Sequence, residues 1–176
     1  MRQITTSSAG LKKILFLTLF AVGLSFTGRA QQNNATKPFY NPKADARADI
    51  KNAVAEAQKE HKNIMLQIGG NWCIWCTRFH NLIETNDSLN KLMNTNYVYL
   101  PVNYDKNNKN SPLWGELGYP QRFGFPVFVI LDDKGKIIHI QNSAYLEEGK
   151  GHSPEKVAQF LKNWSPAAIA GKTITR

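Results

Sequence analysis

The chain has only two cysteines in 176 residues, and they stand two residues apart in the segment Gly69-Gly70-Asn71-Trp72-Cys73-Ile74-Trp75-Cys76. Thiols at this spacing can join and separate, which is the chemistry of dithiol–disulfide exchange. The attacking species is the thiolate, and a helix N-terminus favours it through unpaired N–H groups and the positive end of the helix dipole. The sequence supplies that setting. The short apolar run Ile64-Met65-Leu66-Gln67-Ile68 leads in as a buried strand and ends at Gly69-Gly70. A helix leads out, with Cys76, Phe79, His80 and Ile83 on one face. Cys73 at the helix start is the expected nucleophile. Cys76, one turn in and on the apolar face, is the expected resolving thiol.

Two blander readings of the pair weigh against this one. As a structural staple, so short a loop constrains the unfolded chain by only about 2 kcal/mol, less than longer loops give. As a metal site, Cys73, Cys76 and His80 offer three ligands with no fourth in the neighbourhood, so no metal is expected. His61, His139 and His152 have no visible partner. Trp72 and Trp75 flank the cysteines and read as an apolar rim for docking a polypeptide, the alternative being plain core aromatics.

The elements that must position the pair follow from pattern. Asp45 or Asp49 caps a helix whose apolar positions Ile50, Ala53, Val54 and Ala57 follow helical spacing. After the cysteine helix, Asn86-Asp87-Ser88 interrupts and caps a further segment carrying Leu89, Leu92 and Met93. Tyr97 to Val102 reads as the next strand. Residues 104–122 form a polar, turn-rich connection with at most a short helix around Leu113 to Leu117, and a connection of that length is uncommon unless it has a role. Val127 to Leu131 is a continuous apolar strand, Asp132-Asp133-Lys134-Gly135 a hairpin turn, and Lys136 to Ile140 the antiparallel return. Ser153-Pro154-Glu155 opens a last helix with Pro at its first position, its stripe being Val157, Phe160, Leu161 and Trp164, and Pro166 is expected to stop it. Helix, strand, helix, strand, connection, hairpin and helix make an α/β sandwich around one central mixed sheet flanked by helices.

On these residues the chain resembles the thioredoxin superfamily over roughly 45–165, and more narrowly a group of exported thioredoxin-like proteins. Trp72-Cys73-Ile74-Trp75-Cys76 is similar to the family's Trp-Cys-x-x-Cys, and Phe125-Pro126-Val127 to its cis-proline segment. The resemblance implies thiol–disulfide exchange with protein substrates. It implies Cys73 and Cys76 as catalytic residues and an extended partner strand received beside Phe125 and Pro126, with Trp72 and Trp75 at the rim. It implies no organic cofactor, electrons coming from a partner dithiol protein. There are departures. Ile74-Trp75 is neither the Gly-Pro of reducing members nor a His-containing pair. The family's buried acid, six residues before the first cysteine, falls on Gln67, for which a water, Glu84 or His80 are the candidate substitutes. The runner-up is a non-enzymatic module that kept the fold and uses its cleft for peptides in a chaperone-like way.

Composition narrows the setting. The net charge of +9 suggests a polyanion partner, but without residues 1–30, which hold four basic and no acidic side chains, the excess falls to +5. The remaining basic residues are scattered, without the stripe a phosphate backbone needs, so no nucleic-acid partner is expected. Lys12-Lys13, the apolar run Ile14 to Phe26, and small residues at Gly28 and Ala30 describe a signal peptide over 1–30. The run is shorter than the roughly 20 residues of a spanning helix, so no permanent membrane span is expected after processing. The protein is expected to be exported, periplasmic or secreted, where disulfides persist. Residues 31–44 read as a linker or loosely docked extension, 45–165 as the thioredoxin-like domain and 166–176 as a tail. Asn34-Ala35-Thr36 and Asn86-Asp87-Ser88 match the glycosylation sequon.

Overall fold

Buried residues along one strand set the frame. In the computed structural model, which describes residues 38–107 and 110–171, the chain begins with helix α1 (Ala46–Glu60), capped by the Asp45 carboxylate accepting from the N–H groups of Arg47 and Ala48. A left-handed His61 ends it. Every residue of strand β1 (Asn63–Gly69) is buried. Helices α2 (Ile74–Thr85) and α3 (Asp87–Asn96) make the crossover to β2 (Tyr97–Asn103), which pairs parallel with β1. Asn86 separates the two helices, its side chain accepting from Leu89 N–H, so one of the two sequon asparagines is a helix cap. A six-residue helix α4 (Ser111–Glu116) follows, then a 3-10 turn over Pro120–Phe123.

Strand β3 (Val127–Leu131) pairs antiparallel with the other side of β1, and β4 (Ile137–Asn142) pairs antiparallel with β3. The order across the mixed sheet is β2-β1-β3-β4. The hairpin between β3 and β4 closes with Asp132 accepting from the N–H groups of Lys134 and Lys136, and with Gly135 at φ 80°. A two-residue ladder, β5 (Glu147–Glu148) with β6 (Gly151–His152), precedes helix α5 (Pro154–Asn163).

Strand alternation sorts the core onto two faces. Ile64, Leu66, Ile68, Val127, Val129 and Leu131 pack with Ala53 and Ala57 of α1 and with Leu113 and Trp114 of the connection. Met65, Phe128 and Ile130 pack with Phe79 and Ile83 of α2, Leu89 and Met93 of α3, and Phe160 of α5. This is the expected α/β sandwich.

In the described part of the expected linker or loosely docked extension, 38–44, Tyr40 docks onto the domain and is only 1% exposed. The 104–122 connection is part of the core through Leu113, Trp114 and Leu117. Helix α5 ends at Asn163, ahead of Pro166 as expected, but it is not the last helix: Pro166 stands at the first position of a short helix α6 (Pro166–Ile169), where a missing N–H costs nothing. The expected signal peptide, 1–30, and the sequon at Asn34 lie outside the described residues. Among those residues, no helix is long and apolar enough to cross a membrane.

Candidate functional site

Cys73 is itself the N-cap of α2. Its backbone is extended, and its Sγ accepts the N–H of Cys76 at 3.1 Å. The two residues are joined as a disulfide with Cα atoms 5.3 Å apart, inside the range a disulfide requires. Cys76 is fully buried, whereas Cys73 is 5% exposed. The helix terminus therefore directs an amide hydrogen at the sulfur of the less deeply buried cysteine, an arrangement that stabilises negative charge there.

On the outer side of the pair lies a row of aromatic rings. Trp72 is 58% exposed, and its Nε1 donates to the carbonyl of Tyr104 at 2.8 Å. Its ring meets Phe125 edge-on with centroids 5.5 Å apart. Tyr104 lies 4.7 Å from Phe125 and 5.4 Å from Trp114. The Phe125–Pro126 bond is cis. Val127 sits opposite Ile68 in the ladder, so the next step of the register sets Pro126 against Gly69, immediately ahead of the cysteine loop. Gly70 is required here, because a Cβ would run into the Trp72 indole and lie 2.8 Å from the Tyr104 carbonyl. Beside Trp72 an open recess of about 550 Å³ is lined by Trp72, Tyr104, Asp105, Lys106 and Asn107.

The inner side is a buried polar cluster. Gln67, fully buried, points from β1 toward α2 and donates through Nε2 to Tyr40 Oη at 2.7 Å and to the Cys76 carbonyl at 3.1 Å. Its Oε1 accepts from the Tyr99 hydroxyl. Tyr40 is fastened to the cysteine loop by two hydrogen bonds with Asn71, its N–H donating to Oδ1 and its carbonyl accepting from Nδ2, at 3.1 and 2.8 Å. Next to it Phe39 stacks on His80 with centroids 3.7 Å apart. Burial raises the Tyr40 phenol well above its ordinary pKa, the Gln67 hydrogen bond acting weakly the other way. Burial raises Tyr99 as well, with the nearby Tyr40 and Glu84 adding to it. Both therefore keep their protons. Desolvation lowers His80, opposed by Glu84.

A third group flanks Trp75. His152 lies edge-on to Trp75 and Phe79 at 5.8 and 5.2 Å, and Arg78 stands over the Trp75 ring at 4.9 Å. Both ring nitrogens of His152 are buried without a hydrogen-bond partner. Burial, with the Arg78 charge second, pushes its pKa down to about 4.

Of the residues singled out from sequence, the structure brings Cys73, Cys76, Trp72, Phe125 and Pro126 to one place. Trp75, half-buried, packs against the same cysteine cluster from the His152 side. Of the candidate substitutes for the buried acid, Glu84 is exposed and His80 is stacked on Phe39. Gln67 instead meets two phenols. Tyr40, Tyr99 and Tyr104 were not foreseen. A Pro-punctuated stretch gives no periodicity from which Tyr40 could have been found, and alternation along β2 marks Tyr99 only as one face of a strand. Among the described residues no group of His, Cys, Asp and Glu side chains has the geometry of a metal site.

A dithiol pair at the start of a helix, on a mixed sheet with a cis-proline beside it, defines a thioredoxin-like fold. Residues 45–133 match the sequence profile of the family described as Thioredoxin-like, and the chain belongs to that family. The disulphide isomerase from Xylella fastidiosa Temecula1 is similar in structure, with a TM-score of 0.63 and 22% identity over 73% of this chain and 98% of that one. A DsbH oxidoreductase is similar at a TM-score of 0.45 and 23% identity, over 62% of this chain and 79% of that one. A thioredoxin-fold protein from Helicobacter pylori is similar at 0.39 and 20%, over 73% and 98%. No curated protein matches the chain.

Proposed function

We propose that this chain is a thiol–disulfide oxidoreductase that acts on exported protein substrates through Cys73 and Cys76. The observation that carries the reading is the asymmetry of the pair: Cys73, 5% exposed, receives a helix-terminal N–H on its sulfur, while Cys76 is fully buried behind it. In the reducing direction the Cys73 thiolate attacks a substrate disulfide, forming one mixed S–S bond and releasing one substrate thiolate. Cys76 then attacks Cys73 Sγ, the second substrate thiolate leaves, and the disulfide seen here is the product. The oxidising direction runs the same bonds in reverse, a substrate thiolate attacking Cys73. After the reducing direction a partner dithiol protein returns the pair to the dithiol form, after the oxidising direction a partner disulfide reoxidises it, and no organic cofactor enters the cycle.

Trp72 and Phe125 form the apolar border along which the substrate lies, and the half-buried Trp75 bounds the other side. The chain entering Pro126 offers main-chain groups to an extended segment, which is recognition by strand addition. The name of the Xylella protein suits this reading, as does the signal-peptide pattern of residues 1–30, which supports a periplasmic or secreted place of action.

The experiment is insulin-disulfide reduction by the purified processed protein, with Cys73→Ser beside it. Loss of turnover in the variant, with an unchanged circular dichroism spectrum, is expected. A wild type that exchanges with no disulfide or dithiol partner, yet binds unfolded chains, overturns the reading in favour of a peptide-binding module.

A further inference from the structure

We propose that the Tyr40 hydroxyl is the hydrogen-bond donor that receives the Cys76 sulfur when the disulfide opens, in place of an acid at Gln67. The proposal deepens the exchange reading above and rests on it. Tyr40 precedes the 45–133 segment matched to the family, so nothing in that match assigns it.

The hydrogen count in the inner cluster carries the argument. The Cys76 carbonyl can only accept, so the Gln67 atom facing it is the amide nitrogen, and this fixes which way the amide points. That nitrogen has two hydrogens, one on the Cys76 carbonyl and one on Tyr40 Oη. Toward Gln67, therefore, the Tyr40 oxygen accepts, and its own hydrogen is left over. Gln67 Oε1 is engaged by the Tyr99 hydroxyl. The leftover hydrogen has one reacting atom close to it. Cys76 Sγ and Tyr40 Oη converge on Gly69, where an added Cβ would overlap the sulfur and lie 2.9 Å from the hydroxyl. Tyr40, Cys73 and Cys76 form one buried cluster. The two Asn71 hydrogen bonds hold the segment in register with the cysteine loop, so the phenol does not swing away.

The step that needs this hydrogen is the opening of the disulfide. An incoming partner thiolate forms a bond to Cys73 Sγ, the Cys73–Cys76 bond breaks, and its electron pair goes to Cys76 Sγ. That sulfur is fully buried, and an isolated buried charge is costly unless a hydrogen bond meets it. The phenol, which keeps its proton because burial opposes ionisation, donates without giving the proton away. Tyr40 is thus a positioning residue for the leaving sulfur, and its ring also closes the site from behind.

The test is the equilibrium of the pair with a glutathione series, for wild type, Tyr40→Phe and Tyr97→Phe. Tyr97 also has a buried hydroxyl, which donates to the Leu161 carbonyl at 2.6 Å, well away from the sulfurs in the α3–α5 layer, and so reports the general effect of losing such a group. Tyr40→Phe is expected to shift the equilibrium about tenfold toward the disulfide, about 30 mV for a two-electron couple, and Tyr97→Phe to leave it in place. In parallel, the Cζ carbon of Tyr40 in tyrosine-labelled wild type is expected to change its NMR frequency on reduction, a readout that needs no folded variant. An unshifted equilibrium in folded Tyr40→Phe, an equal shift in Tyr97→Phe, or a Tyr40 resonance that ignores reduction overturns the proposal while leaving exchange intact. A wild-type pair that never equilibrates with thiols overturns both.

Discussion

The two sides of the Cys73–Cys76 disulfide are built on different principles. Outside, Trp72, Tyr104, Phe125 and Pro126 come from three loops and grade from the exposed Trp72 through half-buried Tyr104 and Phe125 to the buried Pro126, tied together by one indole hydrogen bond and by edge-on and tilted ring contacts. Inside, Tyr40, Gln67, Tyr99 and Asn71 make a closed hydrogen-bonded cluster with no room to spare around Gly69. A surface that receives varied polypeptides needs area and few fixed polar groups, because each unmatched polar group costs desolvation. Under the exchange proposed above, the wall behind Cys76 needs the reverse: donors in set directions, with water kept out. The comparison teaches that substitutions outside should alter binding more than folding, and substitutions inside should alter folding and sulfur chemistry together.

Phe79→Ala tests the inner side hardest. The ring anchors α2 against Phe128, 4.3 Å away between centroids, and its loss should cost about 3–5 kcal/mol in urea unfolding. A cost under about 1 kcal/mol would mean that the cysteine helix is not held from below as described.

Acid comes next. His152 takes up its proton near pH 6.5 when unfolded but only near about 4 when folded, so between these values the unfolded state binds more protons. The stability it contributes is fully present above pH 6.5 and is lost as the pH falls toward 4, by up to about 3 kcal/mol. His80, also lowered by burial, acts in the same direction. His152→Phe should flatten most of this slope in unfolding measured from pH 7.5 to 4, and an unchanged slope would remove His152 as its source.

Gly69→Ala should cost about 1–3 kcal/mol, since the new methyl falls on Cys76 Sγ and the Tyr40 hydroxyl. It should also slow exchange, whereas a fully stable Gly69→Ala protein would show that the inner wall has slack. Trp72→Ala completes the contrast from outside. More than half exposed, it should change stability by less than about 0.5 kcal/mol, while KM for a protein disulfide rises several-fold at similar kcat. A large stability loss would erase the distinction between the two sides.

The outer side was the more legible in sequence. The cysteine spacing, the flanking tryptophan and the Phe125-Pro126 segment lie within short stretches, and the strand and helix around them follow from period-two and helical patterns that act over a few residues. The inner side was legible only as a gap, a glutamine where an acid was expected. What fills the gap comes from Tyr40, 27 positions before Gln67, and Tyr99, 32 positions after it. Tyr40 sits in a stretch whose polarity and prolines read as a linker or loosely docked extension, because composition describes a segment's own preferences and not the groove it finds on a neighbour. The core contribution of the 104–122 connection was hidden for the same reason. Its turn residues are conspicuous, while Leu113, Trp114 and Leu117 are too few and too closely spaced to announce a core face.

By itself, then, the amino-acid order determined the α/β layering, the placement of both thiols at a strand-to-helix junction, and which sulfur faces outward, since each follows from local periodicity and from where apolar residues must hide. The folded chain alone decided what stands behind Cys76, how Trp72 is braced, and that His152 is held neutral beside Trp75. Those depend on hydrogen-bond directions and desolvation between residues far apart in sequence, quantities that exist only once the sheet has brought them together.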